Sequence, residues 1–212
     1  GAERDVTATL AAAFGPNAGP VHERIRTLTG LVFPDNRQDT LSAGLARGMK
    51  RAGTQDLDRY VSRLETEPAL LDDLVAEITV GETYFFRDPG QFRVICDRIL
   101  PDLLHRRAGG SLRIWSAGCA TGEEAYTLAI LHADAGARAP AKILGTDLSR
   151  SALARARRGR YGRWALRGLP ADEVARHFRR SGSDFVLDPE LMREVEFRYL
   201  NLAEDTYPSL AA

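Results

Sequence analysis

Only two cysteines, Cys96 and Cys119, occur in 212 residues, and their separation does not resemble a disulfide framework. That usage fits a reducing compartment better than a stapled secreted scaffold. No stretch approaches the ~18–20 consecutive apolar residues a membrane-spanning helix needs. The N-terminus shows no basic region leading into an apolar run, so no signal peptide is expected. The four histidines (His22, His105, His132, His177) are scattered, and no Ser-His-Asp, Cys-His or metal-ligand cluster is evident. They read as surface or structural residues. A Gly-Lys-Ser/Thr phosphate loop is missing, which argues against ATP or GTP. Nothing resembles an RNA-binding module, and no aromatic stacking platform is obvious.

What is present is ordinary in amount and uneven in placement. With 44% hydrophobic and 27% charged residues, the chain can bury a real core as one or two domains. Net charge is zero. Residues 52–83 nevertheless carry eight acids against Arg59 and Arg63, and residues 141–180 carry eleven Lys or Arg against Asp147, Asp172 and Glu173. Such a basic block either attracts an acidic partner or is a solvated face.

Residues 1–80 read as helical, with breakers at Gly15-Pro16, Gly30, Pro34 and Gly53. Leu41, Leu45 and Met49 recur every four residues, and the apolar spacing resumes from Tyr60 to Ile78 after start signals at Thr54 and Asp56. The two textures meet near residues 79–92, with a linking helix up to Leu104. Beyond residue 110, Leu112–Trp115 and Lys142–Gly145 are strand signals, each followed by a turn and a helical run. Strand, glycine turn, helix, strand, helix predicts a parallel α/β sheet. Phe185–Leu187 and Val195–Leu200 are further strand candidates.

Trp115-Ser116-Ala117-Gly118-Cys119-Ala120-Thr121-Gly122-Glu123-Glu124 falls where a strand ends and a helix begins. Glycine there permits tight turning and close backbone approach to a ligand. The strict G-x-G-x-x-G spacing of dinucleotide binders is absent. At the next strand end, Gly145-Thr146-Asp147 offers an acid that either accepts ribose hydroxyls or caps the following helix. Glu123 and Glu124 either stabilise the helix N-terminus or face a cationic ligand. A glycine loop and an acid at adjacent strand ends together favour a nucleoside ligand.

Four segments in order resemble the CheR-type chemotaxis receptor methyltransferases over residues 20–207: Ile78-Thr79-Val80-Gly81-Glu82-Thr83-Tyr84-Phe85-Phe86-Arg87; Ile114 through Tyr126; Gly145-Thr146-Asp147-Leu148-Ser149 with Leu153, Ala156, Gly159 and Tyr161; and Val195-Glu196-Phe197 with Asn201-Leu202. The resemblance implies an α/β chain: a small all-helical domain over 1–80, then a class I methyltransferase (Rossmann-like) parallel sheet over 81–212, with a small antiparallel β-subdomain at about 160–194. It implies S-adenosylmethionine as cofactor, S-adenosylhomocysteine as product, and a cytoplasmic location. Cofactor contacts are implied at Thr83, Arg87, Glu124, Asp147, Asn201 and Leu202, beside Gly118 of the glycine loop; Arg87 either positions a carboxylate of cofactor or acceptor or forms a structural ion pair with Asp88 or Glu82. Many family members carry Asn at the position of Gly81. The partners implied are glutamate-rich receptor helices; Arg37, Arg47, Lys50 and Arg51, near or on one predicted helix, either meet them by charge or form an ordinary solvated face, and Gly44 and Gly48 depart from the more Arg-rich family helix. The family continues past Asn201-Leu202 into a strand carrying Cys-Arg-Asn and a Tyr-Phe segment. A chain ending at Ala212 is therefore expected to be C-terminally incomplete, with the edge of its first strand exposed. Two other functions are consistent with the sequence: a nucleic-acid methyltransferase using the basic block, and a non-catalytic cofactor- or receptor-binding fragment.

Overall fold

A computed structural model describes residues 18–79, 81–106, 110–136, 141–203 and 207. The Gly15-Pro16 breaker, Val80 of the first motif and the last five residues lie outside this set. The described residues divide into two compact units: 18–79 with 201–203 and 207, and those between 81 and 200.

The first unit is all helical: α1 (Ala18–Thr29), α2 (Gln38–Arg51), α3 (Leu57–Leu64) and α4 (Pro68–Ile78). Its core takes Val21 and Ile25 from α1, Leu41, Leu45 and Met49 from α2, Tyr60, Val61 and Leu64 from α3, and Leu74 and Ile78 from α4. Apart from the neighbours Tyr60 and Val61, these sit three or four apart within each helix, the spacing that puts side chains on one face. The apolar run from Tyr60 to Ile78 is two helices. The Asp56 side chain caps the first by accepting from the Arg59 N–H at 3.0 Å, and Pro68 opens the second at a position where a missing N–H costs nothing. The departures at Gly44 and Gly48 have a packing reason. A methyl group at either would collide with Ile78 or Tyr60, so glycine lets α2 approach α4 and α3 closely.

The second unit opens with α5 (Pro89–Val94), which runs through a π-helical segment (Ile95–Ile99) into α6 (Leu100–Arg106). Then come β1 (Leu112–Ala117), α7 (Glu123–Asp134), β2 (Ala141–Asp147) and α8 (Arg150–Ala156). These are followed by β3 (Arg160–Tyr161), α9 (Ala171–His177), β4 (Phe178–Ser181), β5 (Asp184–Leu187), α10 (Pro189–Arg193) and β6 (Val195–Tyr199). Among the described residues the main sheet has the order β1-β2-β6, all parallel, with Ala117 opposite Thr146 and Thr146 opposite Arg198. The antiparallel sheet β3-β5-β4 is separate.

Aromatic rings fill the core of this unit. Phe85 meets Tyr161 and Phe178 edge-on at 4.9 and 5.0 Å, and Tyr126 meets Phe197 at 5.4 Å. Gly122 and Gly145 leave room for the Phe197 ring, which a Cβ at either position would meet at 2.9 or 2.7 Å. The floor of the glycine loop is thus packed on a strand that lies fifty residues and more further along the chain.

Candidate functional site

The tips of β1 and β2 are tied together by main-chain bonds. The Gly118 and Cys119 N–H groups both donate to the Thr146 carbonyl, at 2.8 and 2.9 Å. Gly118 can make this turn because its φ is +76°, and the space where its Cβ would lie is open. Ala120 and Gly122 also take left-handed backbone conformations, at φ +47° and +92°. Three left-handed residues in five bend the loop back on itself before α7 begins.

Asp147 fixes this loop from the neighbouring strand. Its Oδ2 accepts from the Ala120 N–H and its Oδ1 from the Ser149 N–H, each at 2.8 Å. The helix cap at α8 is Ser149, whose hydroxyl accepts from the Ala152 N–H at 3.2 Å. Asp147 is therefore released from capping. A carboxylate offers about four lone-pair directions, and two remain for a ligand's hydroxyl groups on this half-buried side chain.

The two glutamates that open α7 differ in environment. Glu124 is exposed, and its Oε1 accepts from the buried Ser116 hydroxyl at 2.7 Å. Glu123 is only 3% exposed, and its Oε2 accepts from the Thr121 hydroxyl at 2.6 Å. Burial holds the Glu123 carboxyl above the usual carboxylate range, partly offset by the Thr121 bond. Cys119 is buried beneath the loop; burial and the charge of Asp147 push its thiol up to about 12, so it is no nucleophile near neutral pH.

Arg87 lies on a strained turn. Phe86 and Asp88 on either side of it have φ of +57° and +63°. Each such non-glycine residue costs up to ~1–2 kcal/mol, less for Asp than for Phe. The turn is held by Phe85 N–H to Ala165 O at 2.9 Å and Phe86 N–H to the Thr127 hydroxyl at 3.2 Å. The exposed Arg87 guanidinium donates to the Glu82 carbonyl at 2.6 Å. Thr83, half-buried, precedes this turn. The Glu82 carboxylate accepts from Arg167 at 3.1 Å, and that guanidinium stacks on Tyr84 and on the exposed Trp164.

The unit of residues 81–200 therefore contains Thr83, Arg87, Gly118, Glu124 and Asp147. Asn201 and Leu202 group with the helical unit, where the buried Asn201 amide donates to Leu28 O at 3.4 Å and accepts from the Ala203 N–H at 3.0 Å. Of the residues read from sequence as receptor-facing, Arg47 and Arg51 both pair with Glu77 on α4, Arg51 at 2.7 Å. Lys50 and Arg37 are exposed. Ser116 and Thr146 were not singled out from sequence. Each is a buried hydroxyl in a strand, Ser116 bonding Glu124 and Thr146 accepting from Trp115 Nε1 at 2.9 Å. Their signal was a hydroxyl following the apolar pairs Ile114-Trp115 and Ile143-Leu144 in a strand, which must find a partner once buried.

The residues present fit an adenosyl sulfonium ligand. Gly118 leaves an open approach at the tip of β1, Asp147 retains acceptor capacity for hydroxyls, and the exposed Glu124 carboxylate favours a cation. Comparisons with known proteins agree with this reading. Residues 81–211 match the family described as CheR methyltransferase, SAM binding domain, and residues 21–79 match CheR methyltransferase, all-alpha domain. The chain is 36% identical over 190 residues to chemotaxis protein methyltransferase 1 of Pseudomonas aeruginosa, covering 85% of this chain and 69% of that protein. It is 31% identical to chemotaxis protein methyltransferase Cher2 of Pseudomonas putida, covering 85% and 69%. It is 32% identical to the chemotaxis protein methyltransferase of Salmonella typhimurium, covering 84% and 62%. No helix among the described residues is long and apolar enough to cross a membrane.

Proposed function

The chain belongs to the CheR methyltransferase family, and from that membership we propose that it esterifies glutamate side chains on the cytoplasmic helices of chemotaxis receptors. S-adenosylmethionine supplies a methyl group already activated as a sulfonium. The observation that carries the reading is the pair of strand tips at which Gly118 and Asp147 are bonded into one main-chain frame, with Glu124 opening the helix behind them.

The acceptor's chemistry explains what the site lacks. A glutamate side chain has an unperturbed pKa of about 4.3 and is already ionised at neutral pH. No general base is needed, which fits a site built from acids, an arginine and main-chain amides. Asp147 holds the ribose hydroxyls on its remaining lone pairs. Glu124 faces the cationic end of the cofactor. Arg87 offers a planar fork matched to a carboxylate, either the cofactor's own or the incoming glutamate's. Its strained turn supports that role, because left-handed non-glycine residues concentrate where geometry is used. Thr83 adds a cofactor contact in this proposal; Asn201 and Leu202, implied by the resemblance, belong to the helical unit. Arg47, Lys50 and Arg51 on α2 meet the acidic receptor helix through complementary charge.

The test is transfer of labelled methyl groups from S-adenosylmethionine to receptor fragments. The proposal expects label released by mild base, as esters are, and a loss on the order of a hundredfold in Arg87→Lys, which keeps the charge and removes the fork. Base-stable label, or transfer to nucleic acid in place of receptor, would refute the proposal. Cofactor binding without any transfer would select a binding role.

A further inference from the structure

We propose that Asp134, Glu173 and His177 form a binding site for one divalent transition cation of the zinc class. Asp134 is the last residue of α7, while Glu173 and His177 are four apart on α9 and so share a face. The His177 side chain is 8% exposed, and its Nε2 has no hydrogen-bond partner. That atom lies 3.4 Å from Asp134 Oδ1 and 3.4 Å from Glu173 Oε2. The three prospective ligand atoms fall within 4.8 Å of one another.

A buried ring nitrogen aimed between two carboxylate oxygens, and bonded to neither, needs an explanation. Zinc supplies one. Ligands at ~2.0–2.1 Å from a tetrahedral ion are separated by roughly 3.3–3.4 Å, since a tetrahedron's edge is about 1.63 times its centre-to-vertex distance. Two of the three separations already have that length. One imidazole and two carboxylates also suit zinc better than calcium or magnesium, which take six or more oxygens. The two carboxylates neutralise the charge of a dication, and the fourth position is left to water.

Arg176 is the competitor. Its Nη1 lies 3.1 Å from Glu173 Oε1 and 3.9 Å from Asp134 Oδ1. The shorter contact uses Glu173 Oε1, whereas Oε2 is the oxygen 3.4 Å from His177, so Oε2 stays available. The ion takes over the role of Arg176 at Asp134. Bound there, it links α7, which packs on the parallel sheet, to α9, which runs directly into β4 of the antiparallel sheet.

The experiment titrates the chelator-treated chain with zinc chloride by calorimetry and with cobalt chloride by visible absorption. Expected are one zinc per chain with Kd of ~10 µM or tighter, and strong visible bands from four-coordinate cobalt. Asp134→Asn, Glu173→Gln and His177→Gln each weaken zinc binding at least about tenfold. Asp134 is exposed and Glu173 half-buried, so their variants carry the test if His177→Gln does not fold. No saturable zinc binding to the wild-type chain would overturn the site. Wild-type affinity in folded Asp134→Asn and Glu173→Gln chains would also overturn it, because other groups would then hold the ion.

Discussion

Replacing Asp147 separates the loop contacts it makes from the ligand contacts proposed for it. The side chain accepts the Ala120 and Ser149 N–H groups, each at 2.8 Å. A hydrogen bond to a charged acceptor is worth ~1.5–3 kcal/mol. Asp147 is half-buried, so water recovers part of that loss and the lower figure applies to each. Asp147→Ala then destabilises the chain by about 3 kcal/mol. Asp147→Asn has one acceptor oxygen for two donors, and turning the amide over merely exchanges which N–H goes unmet. Its loss is about half, ~1.5 kcal/mol. Urea unfolding followed by tryptophan fluorescence suits the measurement, because Trp115 donates to Thr146 one residue before Asp147. In calorimetry with S-adenosylhomocysteine, loss of two ribose acceptors at ~1.4 kcal/mol each weakens binding about a hundredfold in Asp147→Ala. Alanine within ~0.5 kcal/mol of wild type, or asparagine equal to it, would refute the account of the loop. Unchanged ligand affinity would remove Asp147 from the binding site.

Two other residues give separate tests. Burial raises the folded-state pKa of Glu123, so the folded chain keeps that proton to higher pH than the unfolded chain. The associated stability is fully present below the unfolded value of about 4.5 and is lost as pH rises through the folded one. Glu123→Gln is therefore expected to gain on wild type as pH rises above about 4.5 in urea titrations, and a pH-independent difference would contradict the burial argument. At the helical unit, Glu77 occupies the guanidinium groups of both Arg47 and Arg51. Glu77→Gln frees them and is expected to tighten binding of an acidic receptor helix several-fold at low salt; weaker or salt-independent binding would remove α2 from the receptor surface.

The parallel strands were legible because apolar residues, then glycines, then a helix start occur twice in the same order. The expected strand at Lys142–Gly145 extends in the structure over Ala141–Asp147, and that at Val195–Leu200 is Val195–Tyr199. The linking helix was also legible, though not its π-helical segment over Ile95–Ile99. β4 was hidden because Phe178-Arg179-Arg180-Ser181 reads as charge, and β3, with two residues, has no period to detect. Neighbouring glutamates at a helix start look alike in sequence. Only the packing of the loop decides that Glu123 is buried and Glu124 exposed. The turn at Phe86 and Asp88 carries no glycine to announce its left-handed backbone. Arg47 and Arg51 looked unpaired because their partner lies 30 and 26 residues away, on another helix.

The bonds from Ala120 and Ser149 to Asp147 carry a kinetic consequence. A carboxylate already oriented by two amides has no rotamer search to complete on meeting the ribose proposed as its ligand. Association should then be quick and much alike across ribose-bearing analogues, and differences among them should show up in how long each one stays.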